Sequence, residues 1–354
     1  MDSASVPDGG HRRATLRAVA DAAGVSTATA SYVFSGRRGP GAGVSPGTAV
    51  RVREAAERLN YRPNSAARAI RTGRTDTVQL SLYVLSDPWA LAVAESVNEE
   101  ANRHGLTTLI LADGDWHAAL NRVESDVAYL DRVEDDAQTR DKLQSLVNRG
   151  QRLVVFSETL APDGFDVIRS DALPGCELAM DALLARHTVI GCLTARSAVE
   201  GSAHHRTRYS VYRERLEAAG IAHDPGLEAV YGGAQASAFN AAVELLSGPV
   251  RPTAIYATTD FAGIAAINAA HMLGLRVPHD VAVIGVGNTP DAHLVAPSLT
   301  TVGPTDFFRR QAEIIVGRAV QDPPEPPRVH EFRWSLFPGA STDLEAPPNR
   351  GIGP

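Results

Sequence analysis

From Thr77 onward the chain alternates short apolar runs with helical stretches, and this narrows the possible folds more than any other feature. The expected strands are Val78–Leu85, Leu106–Leu111, Val127–Leu130, Leu153–Phe156, Val189–Leu193, Ala254–Tyr256 and Val281–Gly285. Helical stretches lie between them: Ala90–His104, Asp136–Arg149, Leu173–Ala185, Thr207–Ala219, Ala234–Ser247 and Phe261–Leu273. A strand buried on both faces reads as a continuous apolar run, and strand–helix repetition builds parallel sheets covered by helices. With 354 residues the chain is too long for one ordinary core. Two similar α/β lobes with a cleft between them satisfy that length, and ligands of such folds bind outside the carboxyl ends of the strands. The expected body runs over 75–340, with a first lobe of about 75–170 plus 290–322 and a second of about 171–289 plus 328–340. The Pro-rich Asp322–Pro327 reads as a linker, Val329–Phe337 as a last strand, and 341–354 as a tail.

The segment before Thr77 has another texture. Residues 1–14 are polar and aperiodic, the composition of a disordered tail. Thr15 is placed to cap a helix whose apolar positions are Leu16, Val19, Ala20 and Ala23, and Gly24 suits its end. Ser26 is placed to cap a second helix running to about Phe34. After the loop Gly36–Gly43, Ser45-Pro46 marks a third start, with Val52, Ala55, Ala56 and Leu59 as its stripe. Two short helices around a Gly-containing turn are the parts of a helix-turn-helix, whose second helix enters the major groove of DNA. The charge agrees. His11–Arg74 holds twelve arginines, no lysine and three acids (Asp21, Glu54, Glu57), a balance of +9 within a chain of net −7. A basic head on an acidic body suits a polyanionic partner.

The residues Ala14–Ser35 (ATLRAVADAAGVSTATASYVFS) resemble the lac/gal repressor (LacI) family, whose members read close to TLxDVAxxAGVSxxTVSRVLN. Val44–Tyr61 resembles the family's third helix and Arg62–Arg74 its hinge helix. The resemblance implies a head over 15–62 and a hinge over 63–74. It further implies a homodimer that reads a pseudo-palindromic double-stranded operator. Thr27, Ala28 and Tyr32 fall on base-reading positions, Thr29 and Ser31 fall on positions for phosphate contact or packing, and the capping residues Thr15 and Ser26 are counted with the DNA-binding residues. Tyr32 stands where many members have Arg, so it gives one hydrogen bond or a methyl contact rather than a bidentate grip on guanine. A half-buried brace is its other reading. In the hinge, Asn64, Ala67, Arg68 and Arg71 align with DNA-facing residues, and Ile70 takes the place of a Leu that wedges between base pairs. A helix this short is expected to need its two-fold mate. Arg37 and Arg38 lie in a loop longer than the family's, where phosphate contact and plain filler both fit.

The body resembles the family's effector domain, similar in turn to periplasmic sugar-binding proteins of the type I fold. The resemblance implies a sugar-like or nucleoside-like effector touched by Trp89, Arg208 and Asp260. Trp89 follows the first strand, where its ring would stack on a ligand or join the core. Arg208 offers a planar fork, or is a surface arginine. Asp260 would accept from ligand hydroxyls, cap the helix from Phe261, or both. Val283–Asn288 lacks an acid the family often has there, so a regulator without effector also stays open. Pro297–Val302 (PSLTTV) matches a family strand between lobes.

No enzyme signature accompanies these features. There is no P-loop, no H-E-x-x-H and no G-x-S-x-G, and Gly285-Val286-Gly287 lacks a third glycine. Cys176 and Cys192 lack metal or redox spacing and read as buried thiols, and His204-His205 lacks a third ligand. No cofactor and no membrane span are expected. The polar start, without an apolar signal core, points to a cytoplasmic protein. The expected function is that of a ligand-responsive repressor, not an enzyme.

Overall fold

The computed structural model describes residues 14–35, 44–62, 65–82, 88–112, 114–131, 133–232, 235–322 and 325–343. The expected tail up to residue 13 and the Arg37 loop lie outside them, as do Asn64 and Asp87. The chain divides into two compact units that meet at Thr75–Asp76.

The first unit holds α1 (Leu16–Ala23), α2 (Thr27–Ser35), α3 (Pro46–Arg58) and α4 (Ser65–Thr72). Its boundaries are those the capping chemistry dictates. Thr15 Oγ1 accepts from Ala18 N at 3.2 Å, Ser26 Oγ from Thr29 N at 3.1 Å, and Ser45 Oγ from Thr48 N at 3.2 Å. Gly24 ends α1 in the left-handed region at φ 65°. Val19, Ala20, Ala23, Ala30, Val52, Ala55 and Ala56 form a small shared core. The hinge departs from expectation, since α4 is helical within a single chain. Thr72 Oγ1 donates back to Arg68 O at 2.9 Å at its last turn, and Gly73 follows at φ 68°.

The second unit runs through β1 (Thr77–Ser81), α5 (Pro88–Arg103), β2 (Thr107–Leu111), α6 (Trp116–Arg122), β3 (Val127–Leu130), α7 (Ala137–Asn148), β4 (Leu153–Phe156) and β5 (Asp166–Arg169). It continues with α8 (Leu173–Leu184), β6 (Ile190–Ala195), α9 (Arg196–Gly201), α10 (Arg208–Ala218), β7 (Glu228–Tyr231), α11 (Gln235–Ser247), β8 (Ala254–Ala257) and α12 (Asp260–Met272). Then come β9 (Ala282–Val286), α13 (Pro290–Leu294), β10 (Thr300–Pro304), α14 (Phe307–Val320), β11 (Val329–Glu331) and β12 (Trp334–Phe337). Two six-stranded sheets result, ordered β11-β5-β4-β3-β1-β2 and β12-β10-β9-β8-β6-β7. Among the described residues only β12 is antiparallel. Each sheet is apolar on both faces and covered by helices.

The lobe boundaries differ from those expected. β10 stays in the second sheet, registered Thr300↔Ile284 with β9, so the chain re-enters the first lobe only after Pro304. Val329–Phe337 is two strands. β11 joins the first sheet beside β5 and β12 joins the second beside β10, because Phe332-Arg333 crosses between the lobes. The expected tail begins too early. Ser341 and Thr342 are buried, with Val283 N donating to Ser341 O at 2.9 Å and Thr300 N to Ser341 Oγ at 2.8 Å.

Among the described residues three crossings connect the lobes, at 170–172, 305–306 and 332–333. Each leaves a strand at its carboxyl end: β5, β10 and β11. The carboxyl ends of both sheets therefore border the connectors, and the cleft between lobes is the ligand-binding edge of an α/β sheet. Gly303 lies at the second crossing. A Cβ there would stand 2.7 Å from Gly287 C and O, backbone that cannot swing aside. Gly303→Ala is expected to lower stability by about 1–3 kcal/mol, measured by urea unfolding; an unchanged midpoint would refute this close approach.

Candidate functional site

The outward face of α2 is set by helical geometry. At about 100° per residue, Ala30, Val33 and Phe34 share the inner side, and Thr27, Ala28, Ser31 and Tyr32 project on the other. Thr27 and Ala28 are exposed and Ser31 is half-buried. Tyr32 keeps 47 % of its surface exposed, which favours a reader over a buried brace. Ser26 and Thr29 hold the start of the helix: their hydroxyls are 2.9 Å apart and Ser26 Oγ takes the Thr29 amide. Thr15 does the same for α1. These three side chains therefore fix the starts of α1 and α2 locally. In α4, Ile70 is 88 % exposed, a large aliphatic side chain standing in water. Arg68 is half-buried, and Ala67 and Arg71 fall within the same helix.

The cleft treats its three expected residues differently. Trp89 is half-buried and packs on Phe307 and Phe308, each 4.8 Å away between ring centroids. It is engaged by the first lobe's own aromatic core, because α14 returns there and lies against α5. Asp260 is 1 % exposed. Its Oδ2 accepts from Thr289 N at 2.7 Å and Thr289 Oγ1 at 3.1 Å, and its Oδ1 from Thr301 Oγ1. This carboxylate is sealed inside the second lobe, so in this arrangement it offers nothing to a ligand. Nor is it the cap of α12: Thr259 Oγ1 takes the Ala262 amide at 3.1 Å. Burial pushes the Asp260 carboxyl above the ordinary range, against the opposing pull of Thr301 and Thr289.

Arg208 is the one of the three that faces the strand ends with donors to spare. It opens α10 after the capping residue Thr207, and one guanidinium N–H donates to Thr258 O at 2.9 Å, just past β8. Its guanidinium carbon stands 5.7 Å from the centroid of the Trp334 ring, a cation–π contact. Trp334 is held in turn, its Nε1 donating to Ser170 Oγ at 2.8 Å across two lobe crossings. It lies so close to Gly175 that a Cβ there would be 3.0 Å from the tryptophan's own Cβ. Trp334, Ser170 and Thr258 were not singled out in the sequence. A tryptophan opening a strand next to a crossing was the available signal for the first. Asn288, at φ 53°, donates from Nδ2 to Pro304 O at 3.3 Å, tying β9 to the second crossing.

Matches to known proteins follow the same division. Residues 15–64 match the bacterial regulatory proteins, lacI family, and residues 182–342 match a periplasmic binding protein-like domain. The HTH-type transcriptional repressor PurR of Edwardsiella ictaluri is 32% identical over 302 residues, covering 82% of this chain and 85% of that protein. The chain belongs to the lacI family. It is a DNA-binding transcriptional regulator. The ribose operon repressor of Escherichia coli K12 is 28% identical over 92% of this chain and 97% of its own length. The lac repressor dimer bound to operator and the anti-inducer ONPF superposes with a TM-score of 0.65 at 21% identity, over 94% of this chain and 99% of that one. The helix-turn-helix head and the two-lobed α/β body are thus those of this family. No helix among the described residues is long and apolar enough to cross a membrane, and none of their His, Cys, Asp or Glu side chains group to hold a metal. Cys176 and Cys192 are buried free thiols.

Proposed function

We propose that this chain is a cytoplasmic repressor, not an enzyme, that binds a pseudo-palindromic operator as a homodimer and releases or tightens it on binding a small sugar-like or nucleoside-like effector. The head is assigned to 15–62, the hinge to 63–74, and the body to the residues from 75 onward. The observation that carries the reading is the outward face of α2, and we assign its Thr27, Ala28 and Tyr32 to base edges. Ile70 supports it, since an 88 % exposed aliphatic on a short helix gains by wedging into a base step. The relatives are repressors, one of them of a ribose operon. A ligand that prefers one arrangement of the lobes shifts operator affinity by the coupling energy, typically ~1–3 kcal/mol.

Selection of genomic fragments by the purified chain should yield a motif with two-fold symmetry. Affinity for it should fall about 10³-fold or more between 50 and 200 mM salt, the loss expected when some six phosphates are neutralised. Fragments without a shared motif, or binding indifferent to salt, would refute the DNA assignment. A regulator that binds DNA without an effector is a second reading, favoured by the internal engagement of Trp89 and Asp260.

A further inference from the structure

We propose that the effector is an oxyanion, a small molecule bearing a carboxylate or phosphate, received by the Arg208 fork on the second lobe. This rests on the sensor reading above and sets the chemical class of its ligand. The argument is one of unmatched charge. Asp260 lies just past β8, but its carboxylate is closed off by Thr289 and Thr301. Beside it Gly287 has no side chain, and a Cβ added there would crowd Asp260 Oδ2 at 3.1 Å, so this position supplies no second acid. Arg208 uses one N–H on Thr258 O and rests a face on Trp334, and no carboxylate among the described residues pairs with it. Its remaining donors are held in a set orientation. Arg196, exposed at the first position of α9, follows directly on β6 and is also without an ion-pair partner among the described residues. Thr258 Oγ1 donates to Thr194 Oγ1 at 3.2 Å, so the end of β6, which Arg196 follows, is joined to the end of β8, to which Arg208 donates.

A neutral polyol would give neither guanidinium an ion-pair partner, since Asp260 acts on Arg208 only from beyond ion-pair distance. A carboxylate or phosphate would accept the parallel donors of Arg208 and gain charge-assisted bonds. Across the cleft, the first lobe's strand ends carry Asp131 and Glu158, both already engaged. The charged end of the ligand therefore belongs on the second lobe and its uncharged hydroxyls toward the first.

The test compares neutral and acidic partners on the full chain by thermal shift and calorimetry. The pairs are glucose with gluconate and with glucose 6-phosphate, and ribose with ribose 5-phosphate; inorganic phosphate is the control for bulk ions. An acidic member is expected to stabilise the protein while its neutral parent does not, gluconate against glucose 6-phosphate separating carboxylate from phosphate. Arg208→Gln should weaken that binding roughly 10- to 100-fold, with Arg208→Lys intermediate. Trp334→Phe, which keeps a ring but loses the bond to Ser170, should weaken it less. Neutral parents that bind as tightly as the acids would overturn the inference and leave the sensor reading intact. An acid whose affinity survives Arg208→Gln would overturn it too, since the charge would then sit elsewhere. Silence from every compound would count against the inference and the sensor reading together.

Discussion

Asp166→Ala is expected to unfold about 3–5 kcal/mol more readily than the parent chain at neutral pH, the range for removing one member of a buried ion pair. Asp166 begins β5 and is 1 % exposed. Its carboxylate pairs with the guanidinium of Arg318 from α14, accepts Arg328 N at 2.9 Å, and lies 3.3 Å from His330 Nε2 on β11. Arg318 is 10 % exposed and would be left charged without its carboxylate. The cluster borders a cavity of about 280 Å³ lined also by Arg310, Glu313 and Glu325. It pins β11 and the end of α14 to the sheet edge from which the third crossing departs. Burial by itself would raise the Asp166 pKa, but His330, the Arg328 amide and Arg318 outweigh it and hold the carboxyl below the usual range. The sign follows. A depressed folded pKa contributes stability that is present above the unfolded value of ~3.9 and lost as pH falls through the folded one. The parent should therefore lose stability in acid, and Asp166→Asn should lack that part of the loss. Urea unfolding at neutral and acid pH decides it; an Asp166→Ala midpoint equal to the parent's would mean that Arg318 finds another partner.

The head was legible because its signals are local. Each cap, Thr15, Ser26 and Ser45, acts on an amide three residues away, and Gly24 marks a left-handed turn that a side chain would strain. The strands were legible for a related reason, since parallel strands buried on both faces are continuous apolar runs. The crossings were not. Ser170-Asp171-Ala172 and Thr305-Asp306 carry no compositional mark, and which lobe takes β10 or β11 depends on partners far away in sequence. The cleft was half legible. Arg208 was found from the resemblance to the family and keeps donors to spare. Asp260 was found the same way, yet its fate is decided by Thr289 and Thr301, 29 and 41 residues on. Trp89 was expected on the turn after the first strand and lies in the first turn of α5, where Phe307 and Phe308 reach it only because α14 re-enters the first lobe.

Asp260→Ala and Asp260→Asn should part company, and their difference separates a structural carboxylate from a ligand-binding one. Alanine removes the acceptor of three donors. The Thr301 hydroxyl can turn toward Val302 O, 3.4 Å away, but the Thr289 amide cannot turn. With each orphaned buried donor costing about 1–3 kcal/mol, the expected loss is about 2–4 kcal/mol, with no ligand present. Asparagine can keep the network. Its oxygen takes the place of Oδ2 before the two Thr289 donors, and its amide donates to Thr301 Oγ1, whose hydroxyl proton turns away. That variant should lose no more than about 1 kcal/mol. It should also lose a pH dependence opposite in sign to that of Asp166. A carboxyl whose folded pKa is raised contributes stability fully present below the unfolded ~3.9 and lost as pH rises through the folded value. Thermal unfolding without ligand, set beside effector affinity for the same variants, tests both halves. If Asp260→Ala kept the parent's stability while Asp260→Asn lost effector binding, the carboxylate would be a ligand contact, and the hydrogen bonds from Thr289 and Thr301 would have to open to admit it.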